Sequence, residues 1–520
     1  MSPQAVTDPL IRAMLHPGVF GRGVRSVELI ETHISWVLLT GTFAYKIKKP
    51  VRLPFLDFST LELRHHFCIE ELRLNRRLAP ELYLDVIPIG GPRESPTLDA
   101  EPATEYAVKM REFPAAARLD RQITAGAIPK EAFHAFAGLL AEFHEALPAA
   151  SAETPYGEPE RVVSTVLTNL TETQRYLPED LAAGGVISKW TVERTAALRR
   201  TLAERKAGGS IKEGHGDLHL ENLVYLDKRI VPFDALEFDP NLRWLDVMDE
   251  AAFIVMDLLA HGRRDLAFTF LSRYLEITGD YAGLTVLAYY QLYRTLVRAK
   301  VRAIKSLQDQ SAATDAATAP YLDLARTLLE PRSPVLLLTH GLSGSGKTTV
   351  TEHLIPELPA IRLRSDIERK RLFGLSANAR SGSDPGEGLY TATTTRRLYA
   401  TLQGFARLAL QSGLNVIVDA TFLRREDREG FRRLARKELA RFVVLDCAAP
   451  EAELRQRIDE RRFAGEDPSE ATLQVLDHQL RTCELLTEEE LEHTVTVDTR
   501  LPVAVPELVK RIHACGAPRG

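Results

Sequence analysis

Residues 341–348 read Gly341-Leu-Ser-Gly-Ser-Gly346-Lys347-Thr348, and this short stretch narrows the folds open to the chain more than any other. An apolar run at 335–339 precedes it, and a helix is expected to open at Lys347. Between strand and helix, the glycines let successive backbone N–H groups turn toward one anion, and the helix N-terminus adds partial positive charge. Lys347 is expected to reach the β- and γ-phosphates of a nucleotide, and the Thr348 hydroxyl to ligate Mg²⁺. Gly341, Ser343, Gly344, Ser345, Gly346 and Thr349 complete the expected cradle.

Downstream, strand-like segments at 361–364, 415–419, 441–446 and 494–498 alternate with helical patterns at 389–411, 425–439, 451–462 and up to about 514. Such alternation means a parallel sheet covered on both faces. Ligands then sit at the carboxyl ends of the strands, where the loop, Asp366 and Asp419 fall. The expectation is an α/β P-loop NTPase domain over 334–520.

Several side chains in this half suit phosphate transfer. Asp366 and Arg369 stand one helical turn apart, on one face. A carboxylate there can take the proton of an acceptor hydroxyl, and the arginine can hold the acceptor or the moving phosphate. A plain helix N-cap is the alternative for Asp366. Asp419 ends an apolar strand where a Walker-B-type acid would ligate Mg²⁺ through water, and Thr421 lies beside it. Arg457 and Arg461, with Arg455 and Arg462 beside them and a 465–469 loop after, read as a lid that stabilises transition-state charge. A solvated arginine face is the alternative. The 424–441 helix carries Arg424, Arg425, Arg428, Arg432, Arg433 and Arg436 among acids. It reads as a salt-bridged solvated helix, with a nucleic-acid track as the alternative.

The 520 residues are too many for one core, and 45% hydrophobic with 26% charged content is that of an ordinary globular chain. A net charge of −5 gives no global attraction to nucleic acid or anionic membrane. Four scattered cysteines suit neither a disulfide framework nor a zinc site. With no leader-like N-terminus and no bilayer-length apolar run, a cytoplasmic location and no membrane partner are expected. Oligomeric state is not legible.

The first part of the chain has another rhythm. Strand-like segments at 34–39, 43–47, 84–89 and 106–111 surround a helical pattern at 61–78. From Lys130 on the chain is mostly helical, except around 211–238. This suggests an α+β bilobal domain over 1–310. The small, polar stretch 308–320 suggests a linker within 311–333, with a short amphipathic helix at 321–329.

Within that domain stand His215-Gly-Asp217-Leu-His-Leu-Glu-Asn222, then an apolar strand at 229–233 and Asp234. This order resembles protein kinases, and the His-Gly-Asp-x-x-x-x-Asn form resembles the aminoglycoside phosphotransferase family, over roughly 30–300. The resemblance implies Asp217 as catalytic base and Asn222 and Asp234 as Mg²⁺ ligands. Ala44-Tyr-Lys46 resembles a kinase third strand. Lys46 would then pair with Glu71 or Glu70, although Lys48 shares its strand face. The segment 106–114 would be the adenine hinge, and the turn 39–43, with one glycine, the nucleotide cover. Glu237, Asp239, Asp246 and Asp249 read as caps and solvated positions, or, for the last two, as braces of the catalytic loop.

The second half resembles P-loop kinases of small metabolites or 5′-hydroxyl ends: gluconate and shikimate kinases, chloramphenicol phosphotransferase, zeta toxins and polynucleotide kinase. The whole chain resembles a bacterial family that fuses the two kinds of domain. The resemblance implies ATP, with GTP as an alternative, and Mg²⁺. The leading expectation is a bifunctional phosphotransferase acting on hydroxyls of small molecules. A 5′-hydroxyl polynucleotide kinase, and a nucleotide-driven switch or ATPase with a non-catalytic kinase-like lobe, are the alternatives.

Overall fold

The computed structural model describes residues 8–515, apart from 54–55, 178–184, 309–313, 378, 380–387 and 465–468; of 308, 314–315 and 461–464 it describes the backbone alone. Contacts divide the chain into two compact units, each gathered from separate stretches. The first takes the chain up to Ala132 with Ala146–Ser164 and Leu202–Asp257; the second takes Phe133–Glu145, Thr165–Thr201 and Leu258–Gly520. Residues on both sides of the 311–333 segment therefore share the second unit.

The first unit is α+β. Its antiparallel sheet contains β1 (Glu28–Glu31), β2 (Ser35–Leu39), β3 (Phe43–Lys48), β4 (Tyr83–Gly90), β5 (Thr97–Leu98) and β6 (Ala103–Arg111), in the order β1-β2-β3-β6-β4-β5. Helix α1 (Leu61–Asn75) starts at Thr60, whose hydroxyl accepts from Leu63 N. It packs through Cys68 and Leu72 against Tyr83 and Val108. Leu10, Ile11 and Met14 pack with Leu38, Tyr45 and Ile47 in a separate cluster. Side chains alternate along a strand, so Lys46 and Lys48 of β3 both reach α1. A two-residue hairpin joins β7 (Leu223–Leu226) to β8 (Arg229–Pro232), with Asp227 and Lys228 at positive φ, as tight hairpins of this kind require. Helix α2 (Val247–Ala260) follows.

The second unit is α/β in its C-terminal part. Five parallel strands, β9 (Val335–His340), β10 (Ala360–Arg364), β11 (Asn415–Asp419), β12 (Arg441–Ala448) and β13 (Thr494–Asp498), lie in the order β10-β11-β9-β12-β13. All six residues of central β9 are buried, as a strand covered on both faces demands. Helices Lys130–Ala146, Pro159–Tyr176 and Val186–Ala207 contribute to this unit from earlier in the chain, and α3 (Arg264–Thr278) and α4 (Leu284–Gln308) follow them. Part of the stretch read as a linker is helix α5 (Thr314–Leu329), which packs along α4 and buries Tyr321, Leu322 and Ala325. Its alanines favour helix, and packing overrides the interior Pro320. Helices around and after the sheet strands include α6 (Lys347–Glu357), α7 (Ser365–Arg371), α8 (Ala392–Gln411), α9 (Arg425–Lys437), α10 (Glu451–Ala464), α11 (Leu473–Thr482) and α12 (Val505–Ala514). Among the described residues, no helix is long and apolar enough to cross a membrane.

Candidate functional site

In the first unit the kinase-like residues converge on a charged cluster. Lys46 Nζ lies 2.8 Å from Glu71 Oε1 and 2.5 Å from Asp234 Oδ1. Lys48 Nζ lies 2.7 Å from the other Glu71 oxygen and also pairs with Glu237. Glu71 thus bridges both lysines, while Glu70 pairs with Arg73 2.8 Å away. Burial pushes the Glu71 carboxyl up, but Lys46 and Lys48 outweigh it and hold it down at about 2. Burial lowers the Lys46 ammonium, and Asp234 and Glu71 more than reverse this. Glu237, read from sequence as a cap or solvated acid, is instead 5% exposed, and burial raises its pKa. The lysines differ in exposure: Lys48 is sealed at 0%, whereas Lys46 keeps 12%.

The loop carrying Asp217 is braced from α2. The backbone N–H groups of His215 and Gly216 donate to Glu250 Oε1 at 2.7 and 2.8 Å, and Leu220 N donates to Asp257 Oδ2 at 2.9 Å. Asp246, read as a cap or a possible brace, is buried in an ion pair with Arg205 at 2.5 Å. Asp239 is a cap, as expected, accepting from Asn241 N. Burial lowers the His215 pKa. The neutral ring accepts from Asp217 N at Nδ1 and donates from Nε2 to Phe233 O, 2.9 Å away. Asn222 Nδ2 donates to Asp217 Oδ2 at 2.9 Å. Asp234 sits at φ +62, held by Tyr83 Oη, which accepts from its backbone N at 2.9 Å. A left-handed non-glycine residue is uncommon, although aspartate tolerates it better than most, and such backbones cluster at tight turns and functional sites.

Two expectations for this unit change. Residues 106–111 lie inside β6, which pairs with β3 on one side and β4 on the other. Their backbone groups are spent on the sheet, so only 112–114 remain for a base. The turn 39–43 joins β2 to β3, and Gly41 N donates to Glu112 Oε2 at 2.7 Å. Its glycine amide is tied to protein rather than turned toward a phosphate.

In the second unit the phosphate loop follows β9 and opens α6, as expected. Gly341, Gly344 and Gly346 all have positive φ. At Gly346, φ is +79 and a Cβ would approach Thr499 to 3.2 Å; at Gly341 it would meet Cys447 O at 2.6 Å. Lys347 Nζ donates to Gly341 O at 3.0 Å and Leu342 O at 2.7 Å, and Ser343 N donates to Gln479 Oε1 at 2.8 Å. The loop borders a cavity of about 540 Å³ that also holds Asp366, Arg369, Asp419, Thr421 and Arg457.

Asp366 lies in the first turn of α7, not at its N-cap, which is Arg364 with no side-chain cap bond. Arg369 donates to Leu389 O at 2.9 Å and lies over the Tyr390 ring. Arg457 is pinned beside the loop: Nε donates to Glu453 at 2.8 Å and Nη2 to Thr499 O at 2.9 Å. The Arg461 side chain and residues 465–468 of the expected lid lie outside the described residues. Arg364, Tyr390, Tyr399 and Gln479 also line the cavity, and no spacing pointed to them. A second cavity of about 530 Å³ shares Gly346, Thr349 and Arg457 with the first and adds apolar Leu501, Pro502 and Val503. On α9, Arg428 pairs with Glu490 at 2.6 Å, Arg432 with Glu489 and Arg433 with Glu429, and at its N-cap Arg424 pairs with Glu426.

Both donor sets suit Mg²⁺, which takes hard oxygen ligands and keeps phosphate oxygens and water in its shell. Asn222 and Asp234 would supply them in the first unit, Thr348 and Asp419 in the second. Thr351 Oγ1 donates to Asp419 Oδ2 at 3.4 Å, which orients that carboxylate. Among the described residues no group of three or more His, Cys, Asp and Glu could hold a metal ion.

Residues 336–486 match a family model described as an AAA domain. Over 445 residues the chain is 34% identical to an uncharacterized protein of Mycobacterium tuberculosis and to one of Mycobacterium bovis, covering 85% of this chain and 87% of each relative. Among solved structures, the chain is similar to a gluconokinase from Sinorhizobium meliloti, with 24% identity over 36% of this chain and 95% of that one and a TM-score of 0.26. A GDP complex of aminoglycoside 2′-phosphotransferase-IIIa matches 62% of this chain and 98% of that one, at 13% identity and a TM-score of 0.39.

Proposed function

The chain belongs to the family of these mycobacterial proteins, and from that premise we propose that it is an ATP-dependent phosphotransferase whose P-loop cavity phosphorylates a hydroxyl of a small molecule. The observation that carries this reading is the single cavity of about 540 Å³ joining Lys347 and Thr348 to Asp366 and Arg369. Its size and its Tyr390 and Tyr399 walls suit a small acceptor. In this reading Lys347 leaves the loop carbonyls for the β- and γ-phosphates. Arg369 holds the acceptor, and Asp366 takes the hydroxyl proton as the acceptor oxygen bonds to phosphorus and the bond to the ADP oxygen breaks. Mg²⁺, held at Thr348 and Asp419, would neutralise phosphate charge.

The first unit would carry a second transfer site, with Asp217 as base, Asn222 and Asp234 as metal ligands and the Lys46–Glu71 pair on the phosphates. The assembled Lys46–Glu71 contact favours activity over a purely sensory lobe. GTP remains an alternative donor. The polynucleotide reading draws on Asp366 and Arg369, but five of the six arginines that motivated it, Arg424, Arg428, Arg432, Arg433 and Arg436, lie beside acids.

The test is γ-³²P transfer from ATP to a desalted small-molecule extract and, separately, to 5′-hydroxyl oligonucleotides. A labelled metabolite lost in Lys347→Ala but kept in Asp217→Ala assigns the chemistry to the P-loop cavity; the reverse assigns it to the first unit. A labelled oligonucleotide would replace the small-molecule reading. ATP hydrolysis with no labelled acceptor would remove the transferase reading.

A further inference from the structure

The acceptor side of the P-loop cavity hangs on an edge strand. Among the described residues β10 pairs only with β11, so its outer side presents backbone groups that an open edge leaves bare. Helix α3, which precedes the P-loop sheet in the chain, covers it. Arg362 N donates to Ser272 Oγ at 3.0 Å. At the end of α3, Arg371 Nη2 donates to Glu276 O at 2.5 Å, a cation where a helix C-terminus favours one. Gly279, at φ +71, leaves room for it, since a Cβ there would sit 2.8 Å from Arg371 Nε.

At the centre of this contact lies Glu276, 2% exposed. Arg273 donates to it at 2.5 Å and Arg362 at 3.1 Å, and Arg364 lies 3.8 Å away. Arg362 and Arg364 share one face of β10 by alternation, and like charges so placed repel. A buried carboxylate between them fixes both. Arg362 Nη1 also donates to Thr348 O at 3.4 Å, and Arg364 lines the cavity two residues before Asp366.

We propose that Glu276 is a positioning residue for the P-loop cavity: it holds Arg362 and Arg364 on β10, and so sets Arg364 and Asp366 against the acceptor. The acceptor half of the site is then built by two parts of the chain, one of them outside the P-loop domain. This rests on the phosphotransferase reading of that cavity.

The test uses the full chain with Glu276→Gln, which keeps shape and removes charge, and Glu276→Asp, which restores charge. The probes are the label-accepting extract, titrated by dilution, and a fluorescent ADP analogue. The expected result for Glu276→Gln is a rise of about tenfold in the half-saturating extract concentration, with ADP-analogue affinity kept within about twofold. Glu276→Asp should recover part of the loss. Unchanged half-saturation would overturn the proposal, and so would parallel loss of both affinities in both variants, which marks a merely structural role. A readout free of any acceptor separates this from failure of the transferase reading. Phenylglyoxal modification of Arg364, followed by mass spectrometry, should accelerate several-fold in Glu276→Gln relative to Arg369. An unchanged ratio would also overturn the assignment.

Discussion

Glu71 holds two lysines with one carboxylate, and their different exposure separates their roles. Lys48→Met should destabilise the protein by about 3–5 kcal/mol, because it strands Glu237 and half of Glu71 in the interior. Lys46→Met should cost less stability and instead abolish any transfer by the first unit. Urea unfolding beside the transfer assay would check this, and equal destabilisation would refute the division. The same residue makes a pH prediction. The Glu71 carboxyl falls from 4.5 to about 2 in the folded protein. A lowered carboxylate stabilises fully above its unfolded pKa, and that contribution is lost as pH drops through the folded value. The stability gap between wild type and Glu71→Gln should therefore shrink between pH 5 and pH 2; a gap that stays flat would remove the bridging account. For transfer itself, Asp217→Ala should slow the reaction of the first unit about 10²–10⁴-fold. Lys347→Ala should slow that of the P-loop cavity about 10²–10³-fold. Product yield in single-turnover assays reads both.

At the scale of elements, the phosphate loop was legible because its requirements are local. Each glycine answers a positive φ or a close approach, and the strand and helix around it follow from composition. Gly346→Ala should cost about 1–2 kcal/mol from backbone conformation alone, with thermal unfolding as the measure and loss of nucleotide affinity as its companion. The five parallel strands were legible for a similar reason: each carries closely spaced apolar residues, continuous in Val335–His340 and Asn415–Asp419 and alternating with polar ones in Thr494–Asp498. The helix at 314–329 was only half legible. Its N-terminal half looks solvated in sequence, yet Thr318 is buried there and Tyr321, Leu322 and Ala325 follow it. Glu250 and Asp257 were missed as braces, since nothing in a helix written Val247–Ala260 says which acids turn toward a loop 34 to 37 residues earlier. Asp234 was found by its place after an apolar strand, but its left-handed backbone was not.

At the scale of the whole molecule, composition suggested a division near 310, whereas contacts gather α3, α4 and the P-loop sheet into one unit. The reason is chemical. A parallel sheet with an open edge strand needs a cover, and the Ser272 hydroxyl and Glu276 carboxylate sit on a helix that reads, alone, as ordinary core. Residues 334–520 expressed by themselves should self-associate through β10, with the full chain remaining dispersed at the same concentration. Size-exclusion chromatography decides this, and a well-behaved monomer of the fragment would show that the cover is dispensable. Chain order gives that cover one more consequence. Ser272 leaves the ribosome about ninety residues ahead of Arg362, roughly 5–20 s earlier at ordinary elongation rates. The shield is made before the strand it shields, so β10 can be capped as it emerges and need never wait, bare-edged, among neighbouring nascent chains.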